Sequence, residues 1–254
     1  MKLKLPNWRT LYNDNLLTNS DFRYGVINQQ GKSSYNTLNK YTIDMWKLVR
    51  GTLTVGSGFI TINGEIMQNA YNASGQHLFA IYVASGSGSI KFDGVSTTKT
   101  LTTGLNIVSV NGTITGVHIV GTSLKVNYCK FEKGSYFTGM PLWNEALELL
   151  KCQKYFVALK GDFVGASTYD LNNAFFTIPI STKLNKRPSV SFQNTLRVHV
   201  YTDKNYYITP TNLDIFSIDS NHICLVAIVQ NLNRNVIAML RTYDDFIYLD
   251  AYDY

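Results

Sequence analysis

Charge is scarce in this chain. Only 16% of its 254 residues are Asp, Glu, Lys or Arg, while hydrophobic residues make up 45%. That balance argues against a disordered chain. It also argues against a helical bundle, whose exposed faces need Glu and Lys. Cysteine is limited to Cys129, Cys152 and Cys224, with no Cys-x-x-Cys spacing. This speaks against zinc knuckles and dithiol redox motifs, and the odd count against a disulfide framework. Reduced, buried thiols are expected. His77, His118, His199 and His222 are isolated, without His-x-His or His-x-x-x-His spacing. Neither a Gly-x-Ser-x-Gly elbow nor a phosphate loop occurs. No apolar run approaches the roughly 20 residues of a membrane helix. The opening Met1-Lys-Leu-Lys-Leu-Pro6 has no signal-peptide apolar region, so synthesis in a cytoplasm is expected, with release by lysis if the protein acts outside.

What fills the polar positions is Tyr, Asn, Thr, Ser and Gly, which suits strands with polar outer faces and short turns. The formal net charge is +6 and the isoelectric point about 9.1, consistent with mild affinity for anionic surfaces. The basic cluster Lys183-Leu-Asn-Lys186-Arg187 is too sparse for a nucleic-acid stripe.

Short strands with turn signals run from about residue 41 to 130. Leu53-Thr-Val55, Phe59-Ile-Thr-Ile62, Leu78-Phe-Ala-Ile-Tyr-Val83, Ile90-Lys-Phe92, Ile107-Val-Ser-Val110, Val117-His-Ile119 and Leu124-Lys-Val126-Asn-Tyr128 read as strands. Asn63-Gly64, Asp93-Gly94 and Asn111-Gly112 read as hairpin dipeptides, and Ser85-Gly-Ser-Gly-Ser89 as a turn. This spacing predicts a sandwich or jelly roll. The pattern changes once. Pro141 to Lys154 reads as a helix with Pro141 in its first turn and Glu145 and Glu148 early. Trp143, Leu147 and Leu150 fall on one predicted face. A domain boundary is expected just before it, giving 1–136 and 137–254. Strands then resume at Tyr155–Leu159, Ala174–Ile178, Ser189–Phe192, Leu196–Val200, Ile223–Val229, Asn235–Leu240 and from Phe246. The expected fold is mainly β: a jelly-roll sandwich, one helix, then a second β-sandwich.

Three groups of residues carry a resemblance. The first is Asn15-Leu-Leu-Thr-Asn-Ser-Asp-Phe22, then Gln29-Gln30-Gly31, then Tyr41-Thr-Ile-Asp-Met-Trp46. The second is Val126-Asn-Tyr-Cys-Lys-Phe-Glu-Lys-Gly-Ser135, followed by Leu150-Lys-Cys-Gln-Lys-Tyr-Phe156. The third is Phe176-Thr-Ile-Pro-Ile180 with Lys186-Arg-Pro-Ser-Val190 and Phe246-Ile-Tyr-Leu-Asp-Ala251. Together they resemble bacteriophage tail-fibre and receptor-binding proteins. Met45 departs from that pattern, which usually has Arg there. The resemblance implies a homotrimeric virion-tail protein with a carbohydrate-binding-module-like jelly roll and a distal β head. Its partners would be a host surface glycan and other tail proteins, not nucleic acid or a membrane interior. It brings one metal candidate, calcium at Asp21; no cofactor is otherwise expected.

No acid–base or nucleophile set stands out, so an enzyme is not expected. Glu145 and Glu148 read as helix N-terminal acids, and Asp244-Asp245 is the one adjacent acidic pair. For sugar binding, aromatic faces beside Asn, Asp and Gln matter most. The candidates are Tyr201, Asp203, Asn205, Tyr206 and Tyr207 in the distal domain, with Tyr71 and Asn72 in the jelly roll. Trp46 is expected in the core, behind the first hairpins. The alternatives to attachment are a structural tail or baseplate role, and a glycan depolymerase.

Overall fold

The computed structural model describes residues 14–167, 172–192, 196–201, 206–219, 222–229, 237–242 and 246–251, with backbone alone at 71–73, 166–167, 201 and 206–207. The protein is mainly β, with one helix among the described residues. It divides into two compact units, Met1–Leu149 and Leu150–Tyr254. The first therefore runs past the boundary read from the sequence at 136. Residues 137–149 belong to it through Lys130 Nζ, which donates to Gly139 O, and Glu148, which accepts from Asn19 N.

In the first unit β1 (Ser34–Tyr35) and β2 (Lys40–Tyr41) edge β3 (Lys47–Gly56), which pairs with β4 (Phe59–Asp93). β5 (Thr98–Leu101) and β6 (Gly104–Lys133) follow. β4 and β6 are too long to run straight, and their register shows how they bend. Residues 60–69 and 87–93 of β4 both flank the 116–126 stretch of β6. Residues 77–83 lie between 104–110 and 126–133. The two groups form two layers, and their inner faces meet. Phe92 of one layer touches Phe79 and Phe131 of the other at 5.7 and 6.1 Å between rings. Phe79 and Phe131 are fully buried, each stabilising the fold by about 1.5–3 kcal/mol relative to an exposed ring.

The turn dipeptides mislead in this unit. Asn63-Gly64 and Asn111-Gly112 lie inside β4 and β6, as does Ser85–Ser89 in β4; only Asp93-Gly94 ends a strand. Gly64 sits opposite Gly51 on one side and Gly121 on the other, where the register shifts. A Cβ on Gly51 would lie 1.9 Å from Asn63 O, and one on Gly64 2.0 Å from Arg50 O. The glycine permits a close strand approach opposite a bulge of β6, and it holds positive φ as a hairpin glycine does.

The opening motif is a polar knot around Trp46. Trp46 is fully buried, as expected, and its Nε1 donates to Asn19 O at 2.8 Å. Asn19 holds φ at 51°, and its amide donates to Ile27 O and Asp44 O while accepting from Ile27 N. Phe22 meets the indole edge-on at 6.4 Å.

The helix α1 (Glu145–Gln153) is shorter than predicted. Asn144 caps it: its Oδ1 accepts from Leu147 N at 3.0 Å, an N-cap bond that Pro141 has no side-chain group to make. Trp143 thus precedes the helix. The predicted apolar face is not core either: Leu147 and Leu150 are exposed and Cys152 is buried. Cys129 is also buried, whereas Cys224 is partly buried, and none of the three forms a disulfide among the described residues.

The second unit is an antiparallel sandwich. Its smaller sheet orders β10 (Ser189–Phe192), β16 (Ile247–Asp250) and β7 (Phe156–Leu159). Its larger sheet orders β12 (Tyr206–Ile208), β11 (Arg197–Tyr201), β15 (Ile237–Arg241), β8 (Asp162–Ser167), β9 (Asn173–Pro179), β14 (His222–Ile228) and β13 (Asn212–Ile218). Val157, Ile247 and Leu249 pack with Phe176, Val198, Leu225 and Leu240 in its core. β8, β12 and β13 lie outside the strands expected from sequence. In β13 the alternation Asn212-Leu-Asp-Ile215 lasts four residues before a bulge interrupts it.

Candidate functional site

Of the residues singled out from sequence, some lie outside the described residues and the rest are described by backbone alone. Asp203 and Asn205 lie outside the described residues. Tyr201 ends β11 opposite Ile237, and Tyr206 and Tyr207 pair with Val200 and His199. Tyr71 and Asn72 lie within β4. The side chains of these five residues lie outside the described part.

A different aromatic constellation emerges in the first unit. Tyr82 of β4 and Tyr128 of β6 are direct cross-strand partners, so their Cβ atoms are neighbours and their rings stack at 5.6 Å. An isolated bridge pairs Tyr128 with Asp21, which brings the Asp21-Phe22-Arg23-Tyr24 turn alongside. The Arg23 guanidinium lies 4.6 Å from the Tyr128 ring centre and 5.2 Å from that of Tyr24. The result is a ladder, Tyr82–Tyr128–Arg23–Tyr24. Tyr128 meets both Tyr82 and Arg23 within it. Tyr24 at its end is 67% exposed.

Asp21 fixes the guanidinium. Arg23 Nε donates to Asp21 Oδ1 at 2.8 Å and Nη2 to Oδ2 at 2.7 Å, a two-pronged charged pair. The hydrogen bond to Asp21 raises the Arg23 pKa further, against the opposing effect of burial. This pairing also bears on Asp21 as a calcium candidate. Both Asp21 oxygens face a guanidinium, and no group of three potential metal-ligating side chains occurs among the described residues. Burial, opposed by nearby Arg23, pushes the Tyr128 phenol up, so it stays protonated at neutral pH.

Opposite the ladder runs the segment 137–143. Together they line a cleft of about 570 Å³, with Phe137, Met140, Pro141, Leu142 and Trp143 facing Arg23, Tyr24 and Tyr128. Segment 137–143 is strapped to the sheet by a buried pair beneath it. Lys130 Nζ donates to Thr138 Oγ1 at 2.8 Å and Gly139 O at 2.7 Å. Glu132 Oε1 accepts from Thr138 N at 2.9 Å, and Lys130 and Glu132 meet at 3.0 Å. The cleft offers ring faces, the Arg23 N–H groups that Asp21 leaves over and the apolar side chains of segment 137–143, the ingredients of a sugar-stacking site.

A second polar cluster crosses the other layer. Glu65 is buried and accepts from Arg50 at 3.0 Å, while Lys91 approaches at 2.7 Å. His118 bridges Glu65 and Asp93 at 2.8 Å each. Burial pushes the Glu65 carboxyl up, but hydrogen bonds from Lys91, Arg50 and His118 outweigh it and hold it at about 2. These partners satisfy each other across adjacent strands, which marks the cluster as a tie between strands.

Sequence reasoning does not reach the ladder because its members stand far apart, at 23–24, 82 and 128. Nothing short of strand register brings Tyr82 opposite Tyr128. One signal is present: Arg23 and Tyr24 directly follow the Asn-Ser-Asp-Phe turn of the opening motif. No family model, curated protein or solved structure matches the chain.

Proposed function

We propose that this chain is a phage tail-fibre or receptor-binding protein that attaches the virion to host cell-surface polysaccharide through the cleft of its first unit. The observation that carries this reading is the opposition of two aromatic walls, Tyr24 with its stacked ladder and Phe137 with Trp143, across a cleft of about 570 Å³. Pyranose rings present C–H faces to such walls and hydroxyls to the donors between them. The order of the sequence motifs supports a tail-fibre setting. Assembly into a homotrimer is part of the proposal, since avidity would offset weak single sites. It is supported by large apolar side chains left exposed in the second unit, Val164 at 64%, Phe216 at 64% and Ile237 at 60%.

The test is binding of the labelled full chain to intact bacteria and to purified envelope glycans, alongside Trp143→Ala and Tyr24→Ala. Loss of binding in both variants, with circular dichroism unchanged, supports the reading. Wild-type protein that assembles into virions yet binds no glycan would favour a purely structural tail role.

A further inference from the structure

Resting on the cleft as a sugar site, we propose that it selects an uncharged carbohydrate segment and rejects acidic ones. The positive balance of the chain suggests the reverse. Residues 1–149 hold thirteen Lys and Arg against eight Asp and Glu, and residues 150–254 hold ten against nine. The excess therefore sits in the unit that carries the cleft. Yet among the described residues none of it reaches the cleft as unopposed charge. Among the lining residues Arg23 is the one cation, and Asp21 takes both its Nε and its Nη2. Lys130, beneath the wall, is fully buried and committed to Glu132, Thr138 and Gly139.

A ligand thus meets a neutral pair. An anionic group approaching Arg23 would also meet the Asp21 carboxylate beside it, and its desolvation would go uncompensated. A hydroxyl or ring oxygen has no such difficulty. Arg23 Nη1 donates to no described residue and its side chain is 35% exposed, so it offers N–H groups to a neutral acceptor. The guanidinium plane is held between Tyr128 and Tyr24, so this donor is fixed before ligand arrives. Around it the lining includes Phe137, Met140, Leu142 and Trp143, whose apolar side chains suit the C–H faces of hexose rings.

The experiment is isothermal titration calorimetry of the full chain against two panels of probes, neutral hexose oligomers and hexuronic-acid oligomers of equal length. Each titration is run at about 50 mM and about 500 mM NaCl. Wild type is expected to bind a neutral oligomer at least about tenfold more tightly than any hexuronate, with little salt dependence. In Asp21→Asn the carboxylate is lost and Arg23 carries an unopposed charge. Hexuronate affinity should rise about tenfold and become salt-sensitive. Arg23→Met, which keeps the stacked bulk, is the second variant should Asp21→Asn misfold. It should weaken neutral binding while hexuronates stay rejected.

Preferential, salt-sensitive hexuronate binding by wild type that Trp143→Ala abolishes would overturn the charge selection and leave the cleft as the site. Neutral binding untouched by Trp143→Ala and Tyr24→Ala would overturn the cleft itself. Binding of neither panel would overturn both.

Discussion

Lys130 and Glu132 form an ion pair at 3.0 Å in which neither side chain has exposed surface. They lie on the same face of one strand, and the segment above them supplies the remaining partners through Thr138 and Gly139. Removing one partner strands the other charge. Lys130→Met should destabilise the first unit by about 3–5 kcal/mol. Lys130→Met combined with Glu132→Leu should recover a large part of that loss, because no charge is left buried. Urea titrations of the two variants check the order. Equal destabilisation by single and double variants would show that packing, not charge, is what the pair supplies.

Asn19 does two things for Trp46: it presents its carbonyl to the indole and holds positive φ. The two roles separate by substitution. Asn19→Gly keeps the backbone conformation and loses three side-chain hydrogen bonds. Asn19→Ala loses the same bonds and adds the left-handed strain of a Cβ residue, about 1 kcal/mol. Asn19→Ala should therefore be the less stable by about that amount in thermal unfolding. Equal stability would mean that the hydrogen bonds account for the whole effect.

The same residues mark how far the sequence can be read. Alternation exposes most strands because a half-buried strand needs it, and Trp46 reads as core because its motif travels with a scaffold. The continuity of β4 is invisible, since the polar stretches Gln68–His77 and Ser85–Ser89 read as strand breaks although the strand runs through them. Asn63-Gly64 looks like a hairpin because Gly64 holds positive φ as a hairpin glycine does. Pro141 misplaces the helix start, whereas Asn144 holds the cap. The ladder is out of reach because cross-strand register, which pairs Tyr82 with Tyr128, is a tertiary property.

Asp44 should make the fold less stable as pH rises. Burial pushes its carboxyl up to about 7 from 3.8, against two hydrogen bonds from Gln29. The folded state therefore binds the extra proton between these values, and stability present below about 4 is lost as pH climbs through 7. The slope is at most about 1.4 kcal/mol per pH unit for one group. In Asp44→Asn that slope should vanish. The carbonyl of the substituted side chain would still accept from Gln29 N, and the Gln29 amide can turn over to face the new N–H₂. Thermal midpoints at intervals from pH 4 to 8 test this. A profile that rises over that range in wild type and is unchanged in the variant would sink the assignment.

Glu65 acts in the opposite direction and at lower pH. Its folded carboxyl sits at about 2, below the ordinary 4.5, because hydrogen bonds from Lys91, Arg50 and His118 outweigh its burial. Its contribution is present above 4.5 and is lost as pH falls through 2. Taken with Asp44, the two groups place the stability maximum between about pH 4 and 5. Glu65→Gln should lower stability at neutral pH and flatten the acid limb. Arg50 and Lys91 are 62% and 46% exposed, so salt should narrow the gap between variant and wild type. His118 would keep Asp93 and lose a carboxylate at Nδ1. Acid unfolding of Glu65→Gln that still tracks wild type from pH 4.5 down to 2 would show that the three partners do not hold this carboxylate ionised.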